Sequence, residues 1–475
     1  MCGILPSISR RVSKMPSRYG WTDRNLCRPN QIKAFVASID EGAICHLASQ
    51  HNDRKPCNIT RQSRGSFNVC FFARFGDSTT LVVRIPLEPV VDDSWTKVQS
   101  EVATMRYLKL KTRIPVPHVH AYGQTTQLTK DGSTTTTFMI SEFIPGQTIR
   151  LDDVKKTTKE RRRRFLDDLT DVLVELRQLE FPAAGSLMPN PDDESEPVVD
   201  GFLSMAMNEL QVDRGRKCSL SSFSSAEAFM DYQYAILSNS CEVPSVSLDQ
   251  QVAEEELFIL HTLAERIPQL LNPRWSNGPF ILTHLDLTCG NIVVDEDLHI
   301  IGIIDGEFAG TVPLQYFTPP LWVTGHSRPG LIFPSMDPII QDFKEALQAK
   351  SATSEGCAQL MREWNWNTQQ ESMFPMVQIL RRPHTLLRVY RAFINKGDYK
   401  ENVANFFEHH SRAKDLVSVA ERRVESSNRY TRYLEDHGLL VIDEEAEQKE
   451  AEFIAILKEG IAKAKAIQED LEKLL

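Results

Sequence analysis

Residues 280–310 read FILTHLDLTCGNIVVDEDLHIIGIIDGEFAG, and this stretch decides the fold. Two apolar, β-prone runs, 292–294 and 300–304, are separated by the polar turn Asp295-Glu296-Asp297. That composition predicts a buried β-hairpin. Folding the hairpin back on itself brings its two ends together at one mouth. Polar residues lie at both ends: His284, Asp286 and Asn291 before the first run, Asp305 and Glu307 after the second.

The spacing of these polar residues suits phosphoryl transfer. Asp286 lies five residues before Asn291, and Asp305 lies 14 residues after it. The first carboxylate can accept a proton from an attacking hydroxyl, while the other two side chains offer the oxygen ligands that Mg²⁺ prefers. In phosphoryl transfer the protein mainly positions the nucleophile and neutralises phosphate charge. The alternative is that all are turn residues beside a buried hairpin, and the complete set favours the functional interpretation.

The pattern His284-x-Asp286-x4-Asn291, followed by Ile303-Ile304-Asp305-x-Glu307, resembles the aminoglycoside phosphotransferase and choline kinase-like enzymes, relatives of protein kinases. The resemblance implies an α+β, two-lobed protein kinase-like fold, with a small β-rich N-lobe, a larger helical C-lobe and a helical C-terminal extension. It implies ATP as donor and Mg²⁺ as cofactor. Asp286 would be the catalytic base, Asn291 and Asp305 the magnesium ligands, and Glu307 a further carboxylate at the metal.

Two positions depart from the family pattern inside this stretch. Leu285 stands where a glycine is frequent, and Gly306 stands where an aromatic residue is frequent. These positions shape the loop and its packing, so the departures bear on substrate geometry before they bear on catalysis.

The nucleotide-binding lobe is expected between residues 31 and 143. Alternating apolar residues around Gly76-Asp77-Ser78 predict strands within 57–86. By the resemblance, Gly65 and Ser66 fall in the turn that covers the phosphates. Phe143 and Ile144, at the expected hinge between the lobes, are the candidates for contact with adenine.

Arg84 is the main departure from the family. It ends the strand 81–86, where the family more often has a lysine that holds the α and β phosphates. Asp92-Asp93-Ser94 is expected to cap the next helix, which runs to about Leu110 and carries Glu101. By the resemblance, Glu101 would pair with Arg84. Arginine keeps the charge but has a bulkier, forked geometry, so the exchange is not conservative. The alternative is a surface Arg at a strand end and a surface Glu on a helix.

The composition limits the class of protein. The 475 residues suit two lobes with appendages, and 41% hydrophobic and 25% charged residues are typical of a soluble globular protein. A net charge of −10 argues against nucleic acid as the main partner and slightly favours a cationic small substrate. No apolar run is long enough for a membrane helix. Nine scattered cysteines indicate reduced thiols in the cytoplasm.

Four segments are predicted along the chain. Residues 1–30 form a basic, flexible leader, for which a mitochondrial transit peptide is the alternative. Residues 31–143 form the N-lobe, 144–413 the catalytic and substrate-binding C-lobe, and 414–475 a charged helical extension that docks on the lobe or mediates self-association. The first four residues of the leader, Met-Cys-Gly-Ile, also match amidotransferases that use Cys2 as a nucleophile, but this match is too short to favour that function.

Helices are predicted over 31–47, 156–179, 226–237 and 250–271 from the spacing of apolar residues. Arg161 to Arg164 are interpreted as a solvated face of the second of these helices. The aromatic residues Tyr316, Phe317 and Trp322 lie where the resembling enzymes build their substrate pocket, although packing against the core explains them equally well.

The sequence thus predicts an ATP-dependent kinase that phosphorylates a hydroxyl group of a small molecule. A protein kinase is a weaker hypothesis, because no Asp-Phe-Gly or Ala-Pro-Glu signature frames an activation loop. A nucleotide-binding pseudokinase or scaffold is the stronger rival. Arg84 favours that rival, and the intact set of Asp286, Asn291 and Asp305 opposes it.

Overall fold

Two units make up the chain in a computed structural model that describes residues 29–214, 220–246, 248–326, 337–364 and 373–439. The larger unit comprises Gln31–Val243 and Phe258–Phe406, and the smaller comprises Met1–Asn30, Pro244–Leu257 and Phe407–Leu475. All of the predicted site residues belong to the larger unit.

A five-stranded antiparallel sheet, in the order β1-β2-β3-β5-β4, forms the N-lobe of the larger unit. Its strands are β1 (Cys57–Arg64), β2 (Asn68–Phe75), β3 (Thr80–Pro86), β4 (Val119–Thr125) and β5 (Thr136–Glu142). Along β2, Val69, Phe71, Ala73 and Phe75 are buried at every second position, as a strand with one core-facing side requires. The strands predicted within 57–86 are confirmed.

Helices flank this sheet. Instead of the single helix predicted over 31–47, the structure has α1 (Pro29–Ser38) and α2 (Glu41–Gln50). The chain breaks at Asp40, whose carboxylate accepts hydrogen bonds from the backbone N–H groups of Gly42 at 2.8 Å and Ala43 at 3.3 Å. Asp40 therefore caps a second helix. The predicted helix after Asp93 is confirmed as α3 (Ser94–Lys111), with Asp93 accepting from Thr96 N at 3.0 Å.

The chain after β5 is mainly helical, with short strands. The helices are α4 (Leu151–Lys156), α5 (Lys159–Arg177), α6 (Met205–Arg214), α7 (Ala226–Cys241), α8 (Gln250–Leu270), α9 (Leu321–Thr324), α10 (Pro338–Ser351), α11 (Glu355–Trp364), α12 (Phe374–Arg381), α13 (Leu386–Val389) and α14 (Tyr399–His409). The strands are β6 (Gln147–Thr148), β7 (Glu180–Phe181), β8 (Ser186–Met188), β9 (Val198–Asp200), β10 (Phe280–Thr283), β11 (Ile292–Val294), β12 (Ile300–Ile303) and β13 (Gly310–Pro313). The α+β, two-lobed fold is confirmed.

The helix predicted over 156–179 is confirmed as α5, which is slightly shorter. Thr158 caps its start by accepting a hydrogen bond from Arg161 N at 3.4 Å. The apolar face predicted on this helix is confirmed, because Leu166, Leu169, Leu173 and Leu176 are all buried. This face anchors the C-lobe core beside the strands that carry the site.

The predicted hairpin is confirmed as β11 and β12. These strands pair antiparallel with Ile292 opposite Ile303 and Val293 opposite Gly302. In the turn, the Asp295 carboxylate accepts hydrogen bonds from the backbone N–H groups of Asp297 and His299, each at 2.9 Å. The acidic turn thus closes itself with its own side chain, which fixes the register of the hairpin.

In the smaller unit, α15 (Ala413–Asp436) lies within the predicted helical extension. Arg423 on α15 forms a buried ion pair with Glu256. Self-association through the extension stays a prediction. The predicted leader up to residue 28 and the end of the chain from residue 440 lie outside the described residues. The described cysteines, Cys45, Cys57, Cys70, Cys241, Cys289 and Cys357, are free thiols.

The basic cluster at the start of α5 is only partly a solvated face, because the side chains of Arg161 and Arg164 are much more exposed than that of Arg162. Arg162 is only 12% exposed and donates to Asp342 Oδ2 at 2.7 Å. Arg161 donates to the backbone oxygen of Glu296 at 2.7 Å, and Arg164 donates to that of Asp297 at 3.3 Å. Two of the arginines therefore hold the turn of the catalytic hairpin. The sequence could not show this, because the partners are more than a hundred residues away.

We predict that Arg162→Gln lowers the free energy of unfolding by about 3 kcal/mol, because it removes the main partner of a buried carboxylate. The matched variant Arg164→Gln removes the same charge from a side chain that is 40% exposed and should cost less than about 1 kcal/mol. Urea denaturation of both variants measures the difference. Equal losses would contradict the assignment of Arg162 to a buried pair.

Candidate active site

The catalytic hairpin places the predicted polar residues at one mouth. The Ile304 N–H donates to the backbone oxygen of Asn291 at 3.0 Å, so the residues just before β11 lie beside those just after β12. Asp305 and Phe308 have positive φ angles of 63° and 60°, an uncommon conformation for residues other than glycine. The chain is therefore sharply turned where the Asp305 carboxylate enters the cleft.

A cavity of about 650 Å³ lies between the N-lobe sheet and this hairpin. Its lining includes eight of the residues predicted from the sequence: Gly65, Ser66, Arg84, Phe143, Ile144, Asn291, Asp305 and Glu307. Gly65 and Ser66 lie in the turn between β1 and β2, where the Gly65 N–H donates to the Asn68 oxygen at 2.9 Å. The structure thus brings the proposed phosphate, hinge and metal residues to one cleft.

Arg84 is the centre of the charges in this cleft. Its Nη1 donates to Glu101 Oε1 at 2.5 Å and its Nη2 donates to Asp305 Oδ1 at 2.5 Å. Glu101 is almost fully buried and does not line the cavity. Burial lowers the pKa of Arg84, but the carboxylates of Glu101 and Asp305 raise it by more, to well above the ordinary value. Arg84 is therefore a permanent cation between an N-lobe helix and the hairpin.

Sequence analysis missed a second buried cation, Lys97. Its side chain is 2% exposed and forms an ion pair with Glu307 Oε2. Asn68 completes the cluster, since its Nδ2 donates to Glu307 Oε2 at 2.7 Å and its Oδ1 accepts from Lys97 at 3.2 Å. Lys97 lies one helical turn before Glu101, so a search of that helix for a second residue on the same face would have found it.

Glu307 is held in this cluster at 6% exposure. Burial and the nearby Asp305 raise the pKa of Glu307, while Lys97 and Arg84 lower it, and the net direction is upward. The Glu307 carboxylate thus has Lys97, Asn68 and, at 3.9 Å, Arg84 as partners before any ligand is considered.

Residues 284–291, between β10 and β11, form a loop that we call the catalytic loop after its proposed role. Asp286 lies on the other side of this loop from the cleft. Its Oδ1 accepts from Arg382 Nη2 at 2.5 Å, and Asn291 Nδ2 donates to the Asp286 backbone oxygen at 2.8 Å and approaches its Oδ2 at 3.5 Å. Asn291 therefore holds the loop in shape with its amide nitrogen, and the same residue lines the cleft. No sequence signal pointed to Arg382, which is 96 residues from Asp286.

His284 supports the same loop. Its Nδ1 accepts the Asp286 backbone N–H at 3.3 Å, which leaves the proton on Nε2 to be donated to the Ile304 oxygen at 3.0 Å. The imidazole thus connects the catalytic loop to the end of β12, and its role in the structure is to position Asp286.

A second cavity, of about 460 Å³, lies on the Asp286 side of the loop. Its lining includes Asp286, Phe317, Trp322, Arg381 and Arg382. Trp322 Nε1 donates to the Leu287 oxygen at 2.9 Å and so fixes the wall against the loop. Tyr316 is buried and does not line this cavity. Two of the three aromatic residues predicted for a substrate pocket, Phe317 and Trp322, therefore line this cavity.

Comparison with known proteins gives the family. Residues 63–316 match the model of the phosphotransferase enzyme family. A subtelomeric hrmA-associated cluster protein of Aspergillus fumigatus is 23% identical over 310 residues, which cover 54% of this chain and 58% of the relative. Clavilactone A biosynthesis cluster protein Y of Ampulloclitocybe clavipes is 26% identical over 296 residues, which cover 60% of this chain and 66% of the relative. The chain therefore spans about three fifths of these curated relatives.

A solved structure, the ethanolamine kinase of Plasmodium vivax, is 13% identical, with a TM-score of 0.40 over 76% of this chain and 82% of its own. Among the described residues, none of the helices combines the length and apolar composition that a membrane span needs.

We predict that Lys97→Met lowers the free energy of unfolding by about 3 kcal/mol near neutral pH, because it leaves the Glu307 carboxylate buried without its main cation. The folded-state pKa of Glu307 lies above its ordinary value, so the folded protein binds the extra proton and stability falls as the pH rises through that window. The loss should therefore be smaller near about pH 5 than about pH 8.

The double variant Lys97→Met with Glu307→Gln should recover much of the lost stability and remove the pH dependence, because position 307 then carries no charge that lacks its lysine partner. Denaturant unfolding of the four proteins in the cycle, at both pH values, gives the comparison. A loss that is independent of pH and unchanged in the double variant would show that the Lys97 charge does not act through Glu307.

Proposed function

Because the chain belongs to the phosphotransferase enzyme family, we propose that it transfers the γ-phosphate of ATP to a hydroxyl group of a small molecule. The observation that carries this proposal is the position of the catalytic loop between two cavities. Asp286 lines one cavity, while Asn291 and Asp305 line the other. A donor in the cavity that Asn291 and Asp305 line and an acceptor in the cavity that Asp286 lines would meet at this loop.

We assign the nucleotide to the cleft under the N-lobe sheet. Gly65 and Ser66 would cover the phosphates, Arg84 would neutralise them, and Glu101 would hold Arg84 in place from behind. Phe143 and Ile144 would contact the base at the hinge. Arginine can bind phosphate oxygens through two parallel hydrogen bonds. In Arg84, however, Nη1 already donates a hydrogen bond to Glu101.

The metal proposal is supported by the donor set at the cleft. Mg²⁺ is usually bound through one or two carboxylates together with substrate phosphates. Asp305 supplies a carboxylate and Asn291 an amide oxygen, and both line the nucleotide cavity, so the residues present fit this ion. When bound, Mg²⁺ neutralises charge on the phosphates. Glu307 is proposed as a further carboxylate near it, although its Oε2 already binds Lys97 and Asn68.

Asp286 is the proposed general base. It would accept the proton of the acceptor hydroxyl as that oxygen attacks the γ-phosphorus, while the ADP oxygen leaves on the opposite side. The carboxylate is oriented by Arg382 and Asn291, and His284 holds the backbone N–H of the same residue. Orientation of this kind is what a positioned base needs.

A pseudokinase or scaffold is the second candidate, and one observation favours it. Arg84 stands at the lysine position and binds Asp305 directly at 2.5 Å, so a metal ion must compete with the guanidinium for that carboxylate. The two candidates differ in turnover: the pseudokinase binds nucleotide and transfers no phosphate.

We predict that Asp286→Asn lowers kcat by roughly two to four powers of ten with little change in ATP or acceptor affinity, because a general base acts chiefly in the transition state. The matched control is Asp192→Asn, in an exposed acidic loop, which should keep full activity. Steady-state kinetics and calorimetry on the same preparations make the test. An active enzyme whose Asp286→Asn variant keeps full kcat would remove Asp286 as the base.

We also predict that nucleotide binding depends on Mg²⁺ and weakens in Asp305→Ala, because a charged oxygen ligand is lost. Calorimetric titration of ATP with and without Mg²⁺ measures this in both proteins. If affinity is equal with and without metal in wild type and variant alike, the metal assignment is wrong.

A further inference from the structure

The acceptor cavity carries a charge opposite to that of the whole protein. Of the described residues that line it, three are arginines, Arg150, Arg381 and Arg382, and one is acidic, Asp286. The complete chain has a net charge of −10. The positive charge of this pocket is thus a local feature of an acidic protein. It points to an anionic ligand, whereas the net charge of the chain alone favoured a cationic substrate.

Two of these arginines have no carboxylate partner. Arg382 is neutralised by Asp286. Arg381 instead donates to the Tyr316 backbone oxygen at 2.9 Å and stacks on the Tyr316 ring at 4.9 Å, while the exposed Arg150 side chain makes no hydrogen bond or ion pair with any described residue. Burial lowers the pKa of Arg381, which means that its positive charge is poorly compensated where it lies. The cavity therefore has an excess of positive charge.

Two residues that line the same cavity carry buried polar atoms without partners. The Thr318 hydroxyl and the Arg381 Nε are both buried, and neither has a hydrogen-bond partner among the described residues. Thr318 is 4% exposed. A buried polar group without a partner is costly, so a ligand whose acceptor oxygens drew the Thr318 hydroxyl toward the cavity would remove part of that cost.

The remaining lining is largely apolar, with Leu173, Leu176, Leu285, Leu287, Phe317 and Trp322 among its residues. A pocket of this kind buries a hydrophobic body and uses a few polar groups for orientation. The ligand it fits carries an apolar or aromatic body together with a negative charge.

We propose that the phosphate acceptor is an anionic hydroxy compound with an apolar body, whose negatively charged group binds Arg381 and Arg150 and accepts a hydrogen bond from Thr318. This inference rests on the proposed function, because it takes the cavity beside Asp286 as the acceptor site. The acceptor hydroxyl then lies at Asp286. The negative group also gives Arg382 a second anion to bind, which loosens its hold on the carboxylate that must take the proton.

The test compares the binding of acids, amides and amino alcohols that share one body. Leucic acid, phenyllactate and indolelactate are titrated calorimetrically into the complete protein, beside their amides and beside leucinol, phenylalaninol and tryptophanol. At least one acid should bind at least about tenfold more tightly than its amide, as one charged hydrogen bond supplies, and more tightly still than its amino alcohol. Tightest binding of an amino alcohol, or no preference for any acid, overturns the proposal.

Two variants and a control show which residues cause the preference for the acid over its amide. Arg150→Gln removes an exposed charge, and Thr318→Val removes the hydroxyl at nearly constant volume. Each should reduce the preference for the acid by roughly three- to tenfold. Arg274→Gln makes the same charge change at an exposed arginine that lines neither cavity and should leave the preference intact. An acid preference that persists unchanged in Arg150→Gln and Thr318→Val overturns the assignment of the site.

Phosphate transfer to each acid is followed separately with ATP labelled at the γ-phosphate. Acids that bind through these residues but are never phosphorylated would reject the proposed kinase function and still support the anion pocket. Phosphorylation of amino alcohols in preference to acids would support the kinase function and reject the anionic acceptor.

Discussion

The guanidinium of Arg84 is the interaction on which the site depends. It binds Glu101 on α3 and Asp305 after β12 at the same distance of 2.5 Å, and so connects a helix of the N-lobe to the catalytic hairpin. A charge this enclosed persists only when partners offset its desolvation. The partners therefore define where α3 lies over the cleft, and the Asn68, Lys97 and Glu307 cluster repeats the same connection with a lysine. Arg84 from β3 and Lys97 from α3 therefore both connect the N-lobe to the carboxylates that follow β12.

The catalytic loop separates two cavities of different chemistry. On one side, Asn291, Asp305 and Glu307 face Arg84 in a cleft suited to phosphate and a hard cation. On the other side, apolar walls surround Asp286 and three arginines. Since Asn291 is tied to Asp286 through the loop backbone at 2.8 Å, a change at the proposed metal ligand is transmitted to the proposed base. The geometry thus links donor binding to the position of the base.

The sequence predicted the parts of this arrangement that local patterns record. Apolar periodicity located β11, β12 and the buried face of α5, and the spacing of Asp286, Asn291 and Asp305 located the mouth of the hairpin. A local pattern also misled at Asp40, which caps a second helix where apolar spacing alone predicted one continuous helix. The pairs Arg382 with Asp286 and Arg162 with Asp342 join residues 96 and 180 positions apart. Such pairs arise from tertiary packing and leave no short-range signal.

The central claim is that the chain moves phosphate from ATP to a small hydroxyl compound. Phosphorus NMR of the complete protein with ATP, Mg²⁺ and fractions of a metabolite extract tests it most directly, since it follows donor and product together. The account predicts that one acidic fraction gives a new phosphomonoester resonance, with ADP formed in equal amount, and that ATP persists without that fraction. ATP that binds to the protein but yields no phosphomonoester with any fraction would contradict the account and establish the pseudokinase.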